Sequence, residues 1–263
     1  MTDYGQLEEI LNGIGSVAIA FSGGLDSSLL LKAASDTLGE RCLAITVDAP
    51  YHLRNELADA SYFAESFGIR HLILPLYPDT ITGLMENPDD RCYRCKKAMI
   101  ELCLATIPRS IQLCDGSTAD DLASHRPGRR ALLELGVRSP LAEAGLGKHD
   151  IRILSSKLDL PTWNKPAQSC LMTRFPHDFT VTAAALQRVE LCENRIADLG
   201  FSMVRVRSTG NLARVEVEKS ELKRNRSTEI ESICREAGFS SVTVDPAGYR
   251  CGSMDQAISA LKK

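Results

Sequence analysis

The chain has 263 residues, of which 44% are hydrophobic and 25% charged, and its formal net charge is -3. These values predict an ordered globular protein and weigh against a large nucleic-acid footprint, because binding to phosphate backbones normally needs a basic excess. No apolar run approaches the ~18 residues of a transmembrane helix, and the polar start "MTDYGQLEEI" is unlike a basic signal peptide. We therefore expect a cytoplasmic protein without membrane or nucleic-acid partners.

The first predicted strand, at 17–21, leads through the turn "SGGLDSS" into a helix with apolar residues on one side. The first backbone N–H groups of such a helix lack internal partners and attract anions. Gly23 and Gly24 remove Cβ atoms and permit a positive φ close to a ligand, so the turn is predicted to bind phosphate. It is not a Walker P-loop, since no G-x-x-x-x-G-K-[ST] occurs and the nearest lysine, Lys32, lies inside the helix. The alternative is a tight turn in which Ser22 caps the helix.

Three further strands are predicted, at 42–47, 71–75 and 111–114. Helical patterns lie between them, and this alternation predicts the α/β class, with a Rossmann-like parallel sheet covered by helices. Ligands bind beyond the carboxyl ends of such strands, where Asp48 and the segment "DGSTADD" fall. Asp120 or Asp121 is therefore predicted to face a nucleotide or its metal, and the alternative for this segment is a polar turn and helix cap.

The segment "RCYRCKKA" carries a CxxC pair, Cys92 and Cys95, at the start of a helix predicted to run through Leu104. Residues three apart share a helix face, so both sulfurs project together. The pair alone fits a zinc site, a redox dithiol or coincidence. With Cys170, far along the chain, three thiolates suit a cubane iron-sulfur cluster that leaves one iron open. Zinc would need a fourth ligand, and His177 is the only nearby candidate.

The nine cysteines of a chain without secretory features predict reduced thiols rather than disulfides. Most need no special role. Cys42 and Cys114 lie in apolar strand-like runs, and Cys103 and Cys192 lie in helical patterns. We expect these four thiols to be buried, because free cysteine is often simply part of a core.

A long connecting segment, "LDLPTWNKPAQSCLMTRFPHDF", has three prolines and no sustained periodicity. Long ordered loops inside compact proteins tend to carry function. After it come a helix, the alternating strands "SMVRVRS" and "LARVEVE", a second helix and the strand "SVTVD", an order that predicts a second, smaller α+β domain. The predicted limits are 1–158 for the first domain, 159–180 for the connecting loop with Cys170, and 181–263 for the small domain.

Arg205 and Arg207 alternate with valines, so both arginines are predicted to lie on one face of a strand while the valines fill the core. The alternative is an exposed basic strand edge. Glu193 lies on the helix before these strands and either orients an arginine or lies in solvent.

The turn "SGGLDSS" resembles the PP-loop of the ATP pyrophosphatases, which split ATP into AMP and pyrophosphate. The resemblance implies that ATP and Mg²⁺ bind here. Five residues would cradle the pyrophosphate: Ser22, Gly23, Gly24, Ser27 and Ser28. Asp26 would help to hold the magnesium ion, with Asp48 and Asp121 completing the nucleotide site.

The segments "WNKPAQSCLMTRFP", "VRVRSTGNLARVEV" and "VTVDPAGYRCGSM" resemble the LarE family of PP-loop sulfur transferases, over nearly the whole chain. This implies adenylation of a pyridinium carboxylate mononucleotide and replacement of the carboxylate oxygen by sulfur, in the biosynthesis of the nickel-pincer nucleotide cofactor. The family members that pair a loop cysteine with a CxxC are thought to bind a [4Fe-4S] cluster carrying an added sulfide, which implies Cys92, Cys95 and Cys170 as ligands. The sacrificial cysteine of other members falls on Ser169, which speaks against a one-cysteine mechanism.

The implied substrate carries a phosphate and carboxylates, which arginine binds as a bidentate fork. The resemblance therefore implies Arg174, Arg205 and Arg207 as substrate-binding residues, with Glu193 beside them, and it also implies a homo-oligomer. It does not specify the sulfide donor. Two other readings are a tRNA thiolase that combines a PP-loop with a cysteine-ligated cluster, and a non-catalytic nucleotide sensor with a structural metal.

Overall fold

The computed structural model describes residues 4–123 and 127–250, which form two compact units. The first unit contains the described residues up to Leu84 together with Asp90–Gln168, and the second contains Met85–Asp89 and the described residues from Ser169 onward. The segment 159–180 therefore divides between the two units. Among the described residues, no helix combines the length and the apolar character that crossing a bilayer requires.

The first unit is built around a four-stranded parallel sheet in the order β3-β2-β1-β4. Its strands are β1 (Val17–Ala20), β2 (Cys42–Asp48), β3 (His71–Pro75) and β4 (Gln112–Asp115). Its helices are α1 (Tyr4–Ile14), α2 (Leu25–Leu38), α3 (Arg54–Ser66), α4 (Arg91–Thr106), α5 (Ala119–Ala123), α6 (Pro127–Glu134), α7 (Pro140–Glu143) and α8 (Lys148–Lys157). The predicted α/β class with a parallel sheet is confirmed.

The strands β1 and β2 lie at the centre of this sheet, and their residues are mostly apolar and buried. Val17, Ala18 and Ile19 are fully buried, as is typical of a parallel sheet with helices on both faces. Ala20 pairs with Ile45 of β2 on one side and with Asp115 of β4 on the other. The carboxyl ends of these three strands therefore lie side by side, at the edge of the sheet where ligands bind in α/β folds.

The second unit contains a three-stranded sheet in the order β5-β6-β7, with two helices. Its elements in chain order are α9 (Ala183–Ala197), β5 (Val204–Thr209), β6 (Leu212–Val217), α10 (Ser227–Glu236) and β7 (Ser241–Val244). The first two strands are antiparallel and the last two are parallel. The hydroxyl of Thr182 caps α9 by accepting a hydrogen bond from the backbone N–H of Ala185 at 3.2 Å. The predicted second, smaller α+β fold is confirmed.

Candidate active site

The turn between β1 and α2 is a tight, glycine-dependent loop at the start of a helix. Gly23 has φ +70°, and a Cβ there would lie 3.0 Å from the Cβ of Ala60 and 3.1 Å from the carbonyl oxygen of Glu56. Gly24 is extended, and α2 begins at the next residue, Leu25. The first N–H groups of α2 have no intrahelical partner, and the positive end of the helix dipole lies there. The loop therefore has the geometry of an anion-binding turn, with the N–H groups at the start of α2 available to an anion.

Serine side chains tie this loop together. The hydroxyls of Ser22 and Ser27 lie 3.0 Å apart, and the Ser27 hydroxyl donates to the carbonyl of Gly24 at 3.2 Å. Ser28 is buried, and its hydroxyl has no hydrogen-bond partner among the described residues. A buried hydroxyl without a partner costs free energy, which a phosphate oxygen would recover.

Asp26 lies in the first turn of α2 and has two differently engaged carboxylate oxygens. Its Oδ2 pairs with the ammonium of Lys148, the first residue of α8. Its Oδ1 is buried and has no hydrogen-bond partner among the described residues. Because Mg²⁺ prefers carboxylate oxygens and phosphate oxygens, this oxygen beside an anion-binding turn fits the magnesium ion that the sequence predicted.

A second lysine from a distant segment also contacts the turn. The ammonium of Lys165 donates to the carbonyl of Gly23 at 3.1 Å and to the carboxylate of Asp59 at 2.9 Å. A Walker P-loop carries a lysine within its own motif, whereas here two lysines, Lys148 and Lys165, reach the turn from distant segments. Sequence reasoning missed both residues because each lies more than 100 positions from its partners.

The predicted acidic residues at the other strand ends are held by neighbouring groups. Asp48, at the end of β2, pairs with Arg54 at 2.6 Å. Asp115, at the end of β4, is buried and accepts hydrogen bonds from the hydroxyls of Ser117 and Ser139, both at 2.7 Å. At the adjacent Gly116, a Cβ would lie 3.0 Å from the backbone nitrogen of Ser27. The loop after β4 therefore packs directly on the start of α2.

Asp120 and Asp121 both accept hydrogen bonds from backbone N–H groups, Asp121 locally and Asp120 from a distant helix start. Asp121 accepts hydrogen bonds from the N–H of Thr118 at 3.0 Å and from its hydroxyl at 3.2 Å. Asp120 accepts a hydrogen bond from the N–H of Lys148 at 2.7 Å. The contacts of Asp121 are those of the helix cap that was the alternative for this segment, and Asp120 fixes the start of α8 beside the PP-loop-like turn.

A cavity of about 150 Å³ opens beside Ser22 at the carboxyl ends of β1 and β2. Its walls are mainly apolar: Phe21, Ile45, Val47, Leu53, Leu57, Met99, Ile100 and Cys103. Polar groups lie among them: Thr46, Asp48, His52, Glu56 and Lys96. Burial lowers the pKa of His52, so this ring is neutral at pH 7. The cavity is thus a largely apolar slot next to an anion-binding turn.

Three of the eight described cysteines are accessible, and they are the three that the sequence singled out. Cys92 and Cys95 lie in the first turns of α4, one exposed and the other half-buried, and Cys95 lies 3.3 Å from the hydroxyl of Tyr51. Cys170 is half-buried in the second unit, just before a short 3₁₀ turn, Leu171–Arg174. These three thiols therefore have the accessibility that metal ligands or nucleophiles need.

The other described cysteines are buried. Burial raises the pKa of Cys42 and Cys114 to about 12 and that of Cys103 to about 11, so these thiols stay protonated at pH 7. No group of three or more His, Cys, Asp or Glu side chains arranged to hold a metal ion is present in the part of the chain that the structure describes. His177, the fourth ligand considered for zinc, lies 3.2 Å from the carboxylate of Asp89.

In the second unit, Arg174 is the centre of a buried ionic network. Its Nε and Nη2 donate to the two oxygens of Glu193, each at 2.8 Å. Its Nη1 donates to the carbonyl and hydroxyl of Ser169, at 2.9 and 2.7 Å, and to the carbonyl of Cys170 at 3.2 Å. Glu193 also accepts the backbone N–H of Val206 at 2.8 Å. Each guanidinium nitrogen of Arg174 is thus engaged inside the unit, and Glu193 orients an arginine rather than lying in solvent.

A second buried contact, missed by sequence reasoning, holds the same loop. Asn87 is fully buried with φ +56°, and its amide donates to the carbonyls of Phe175 at 3.1 Å and Pro176 at 2.7 Å. The residues that follow Cys170 are therefore fixed from two sides, by Arg174 and by Asn87. The one signal for this contact is the left-handed backbone conformation of Asn87. That conformation is not visible in the sequence.

Arg205 and Arg207 differ in their surroundings although they alternate on one strand. Arg207 donates from Nε and Nη2 to Glu216 at 3.0 and 2.9 Å, and from Nη1 to the carbonyl of Thr173 at 2.8 Å. Arg205 is buried, with its guanidinium 5.5 Å from the ring centre of Tyr249. Burial, and next the charge of Arg174, lower the pKa of Arg205 to about 10. The valines beside them are buried, as predicted.

A phosphate-binding glycine turn at the first β–α junction of a parallel sheet, with an aspartate in the first helical turn, is found in the ATP pyrophosphatases. The asparagine synthase family model matches residues 10–91, which contain this turn. The chain is therefore an ATP-utilising enzyme of the PP-loop class.

Similarity over the whole chain narrows the class to one family. An uncharacterised protein of Synechocystis is 37% identical over 259 residues, which cover 96% of this chain and 97% of that protein. The pyridinium-3,5-bisthiocarboxylic acid mononucleotide synthase of Lactiplantibacillus plantarum is 32% identical, covering 98% of this chain and 95% of the relative. An uncharacterised protein of Methanocaldococcus jannaschii is 30% identical, covering 89% and 90%. The chain belongs to the LarE family.

Proposed function

We propose that this enzyme uses ATP to adenylate a carboxylate of a pyridinium mononucleotide and then replaces a carboxylate oxygen with sulfur, in nickel-pincer nucleotide cofactor biosynthesis. The observation that carries the proposal is the turn around Asp26, which combines glycine-permitted backbone, helix N–H groups and an unpaired buried carboxylate oxygen. The choice of substrate is supported by the membership of this chain in the LarE family. It is also supported by the similarity of nearly the whole chain to a bisthiocarboxylic acid mononucleotide synthase.

ATP fits the first unit with its phosphates on the turn and its base in the neighbouring cavity. The cavity begins at Ser22, has walls such as Phe21, Ile45 and Met99, and has the size of a small aromatic ring system. A purine has an apolar face and needs few polar partners, which suits such a slot. In this pose, Ser22, Gly23, Gly24, Ser27 and Ser28 bind the pyrophosphate portion, and Asp26 holds its magnesium ion.

Adenylation is needed because a carboxylate is a poor electrophile. Direct attack by sulfur would have to expel oxide, whereas attack on an acyl-adenylate expels AMP. The carboxylate oxygen attacks the α-phosphorus, and the bond between the α- and β-phosphates breaks. The pyrophosphate that leaves takes up negative charge, and the turn with its magnesium ion stabilises that charge in the transition state.

The three accessible thiols are the proposed ligands of an iron-sulfur cluster. Cys92 and Cys95 lie in the first turns of one helix and Cys170 lies in a loop of the second unit, and accessible thiolates are the donors that a [4Fe-4S] group takes. Such a cluster, when bound, supplies an iron with an open position for a sulfide. The role of the chain itself is to present these thiols and to keep its other described thiols buried.

The cysteine assignment predicts a separation of two activities. Purified without oxygen, Cys92→Ala, Cys95→Ala and Cys170→Ala should each lose iron and acid-labile sulfide and should lose sulfur transfer by at least about 100-fold, because three ligands act as one unit. ATP-dependent pyrophosphate release should survive, since the turn around Asp26 is unchanged. Cys42→Ala, which removes a buried thiol, is the matched control. Normal sulfur transfer by all three variants would refute the cluster mechanism.

Arg205 is the proposed anion-binding residue of the second unit. Burial, together with the neighbouring charge of Arg174, lowers the pKa of this guanidinium from 12.5 to about 10, a cost on the order of 3 kcal/mol at about 1.4 kcal/mol per pKa unit. A phosphate or carboxylate of the substrate beside this charge would offset that cost. Arg205 therefore supports an anionic ligand here, whereas the guanidinium nitrogens of Arg174 and Arg207 are already engaged by groups of the same unit.

Arg205→Met should lose ligand binding without losing stability. We expect the melting temperature of the ligand-free protein to change little, because the cost of a buried charge is removed but its hydrogen bond to the carbonyl of Val204 is lost as well, while stabilisation by nicotinic acid mononucleotide disappears. In the wild type this binding should persist at neutral pH and weaken as the pH rises through about 10, where the guanidinium loses its proton. Thermal denaturation with and without the mononucleotide measures both effects, with the exposed Arg235→Met as control. If the variant were still stabilised by the mononucleotide like the wild type, Arg205 would not bind it.

A further inference from the structure

The ion pair between Lys148 and Asp26 has features that a simple surface pair lacks. Lys148 opens α8, and its backbone N–H is held by the carboxylate of Asp120 at 2.7 Å. A Cβ at the preceding Gly147 would lie 3.3 Å from both oxygens of that carboxylate. The backbone of Lys148 is therefore held in place. The ammonium of Lys148 pairs with Oδ2 of Asp26, whereas Oδ1 of Asp26 is buried and has no hydrogen-bond partner among the described residues.

We propose that Lys148 is a displaceable countercation of the magnesium site. In the free enzyme its ammonium neutralises Asp26. When Mg²⁺-ATP binds, Asp26 would hold the magnesium ion, and the ammonium of Lys148 would move from Oδ2 of Asp26 to the phosphates bound at the start of α2. There it neutralises charge on the departing pyrophosphate, as the lysine of a Walker motif does from a different position in the chain. The inference rests on the ATP cleavage proposed above.

The pair is placed so that it can exchange at low cost. The side chains of Lys148 and Asp26 are 43% and 24% exposed, and a pair with that exposure contributes about 0 to 1 kcal/mol to stability. Water can reach the ammonium, so its transfer to a phosphate does not leave a buried charge. Lys165 cannot play the same part, because its ammonium is held by Asp59 and by the carbonyl of Gly23.

If Lys148 is a displaceable countercation, Lys148→Met should strengthen metal binding and weaken catalysis. Without nucleotide, Mn²⁺ measured by electron paramagnetic resonance should bind about two- to fivefold more tightly, because the competing ammonium, worth about 1 kcal/mol or less, is gone. At saturating Mg²⁺, ATP cleavage should fall by about 10- to 100-fold, because one positive group at the pyrophosphate is lost. The melting temperature should be unchanged. Lys157→Met, an exposed lysine at the other end of α8, should behave like the wild type.

The two measurements separate failure of this inference from failure of the proposed function. If Mn²⁺ binds Lys148→Met with unchanged or weaker affinity, or if cleavage is unaffected, Lys148 is a structural residue and the inference is wrong. If the wild type itself does not cleave ATP, the proposed function fails, and the Mn²⁺ titration alone then decides whether Lys148 competes with a cation at Asp26.

Discussion

Asp26→Asn is expected to lower ATP cleavage by about 10²- to 10³-fold, the loss typical when a group that stabilises transition-state charge is removed. The asparagine keeps the shape of the side chain but presents Mg²⁺ with a neutral oxygen in place of the buried, unpartnered Oδ1. The fold should be unaffected, since Asp26 makes only a half-exposed ion pair. Release of AMP and pyrophosphate, followed together, measures the effect.

Asp36→Asn is the matched control for this variant, because Asp36 lies on the same helix and pairs with Lys32 away from the turn. It should retain full activity. An Asp26→Asn enzyme that cleaves ATP within about twofold of the wild type, well inside the loss expected for such a group, would remove Asp26 from the magnesium site and with it the main support for the proposed function.

Arg174→Met is expected to lower the free energy of unfolding by about 3 to 5 kcal/mol, because it leaves the buried carboxylate of Glu193 without its partner. Both oxygens of Glu193 bind the guanidinium, and the pair is almost wholly buried. The contacts that hold Ser169 and Cys170 are lost with it. Urea denaturation of the full chain, followed by circular dichroism, measures the change.

Two further variants test whether the loss comes from the unpaired charge. The double variant Arg174→Met/Glu193→Gln should recover part of the stability, since glutamine is neutral and still accepts the N–H of Val206. Arg195 lies on the same helix as Glu193, and Arg195→Met, which breaks an exposed pair with Glu236 of α10, should cost about 1 kcal/mol or less. Equal losses for Arg174→Met and Arg195→Met would contradict the role given to this network.

The sheet and the phosphate-binding turn could be predicted because their signals are local. Strand β1 and the helix after it lie next to each other in the sequence, and the two glycines between them are typical of a turn that needs a positive φ or a close approach to a ligand. The predicted limits of the strands agree with the structure to within a residue or two, since apolar runs bounded by polar turns define buried strands well. The burial of Cys42, Cys103, Cys114 and Cys192 followed from the same patterns.

The partners of the site residues could not be predicted because they come from distant segments. A lysine at a helix start, such as Lys148, has no feature that singles it out until the fold brings it to Asp26. Asn87 and Arg174 likewise anchor the loop of Cys170 through backbone carbonyls, which carry no sequence signature. The sequence left open whether Glu193 orients an arginine or lies in solvent. The structure answers this because it places Glu193 against Arg174. The homo-oligomeric state and the cytoplasmic location stay predictions.

The central claim is that this enzyme bonds a carboxylate oxygen of a pyridinium mononucleotide to the α-phosphorus of ATP, and that this oxygen leaves with AMP when sulfur attacks the acyl carbon. The most direct test supplies that substrate with its carboxylate labelled with heavy oxygen, together with ATP and a sulfide source without oxygen, and analyses both products by mass spectrometry. We predict that the label appears in the phosphate of AMP and that the product is a thiocarboxylate. Formation of thiocarboxylate with unlabelled AMP, or without AMP, would contradict the account.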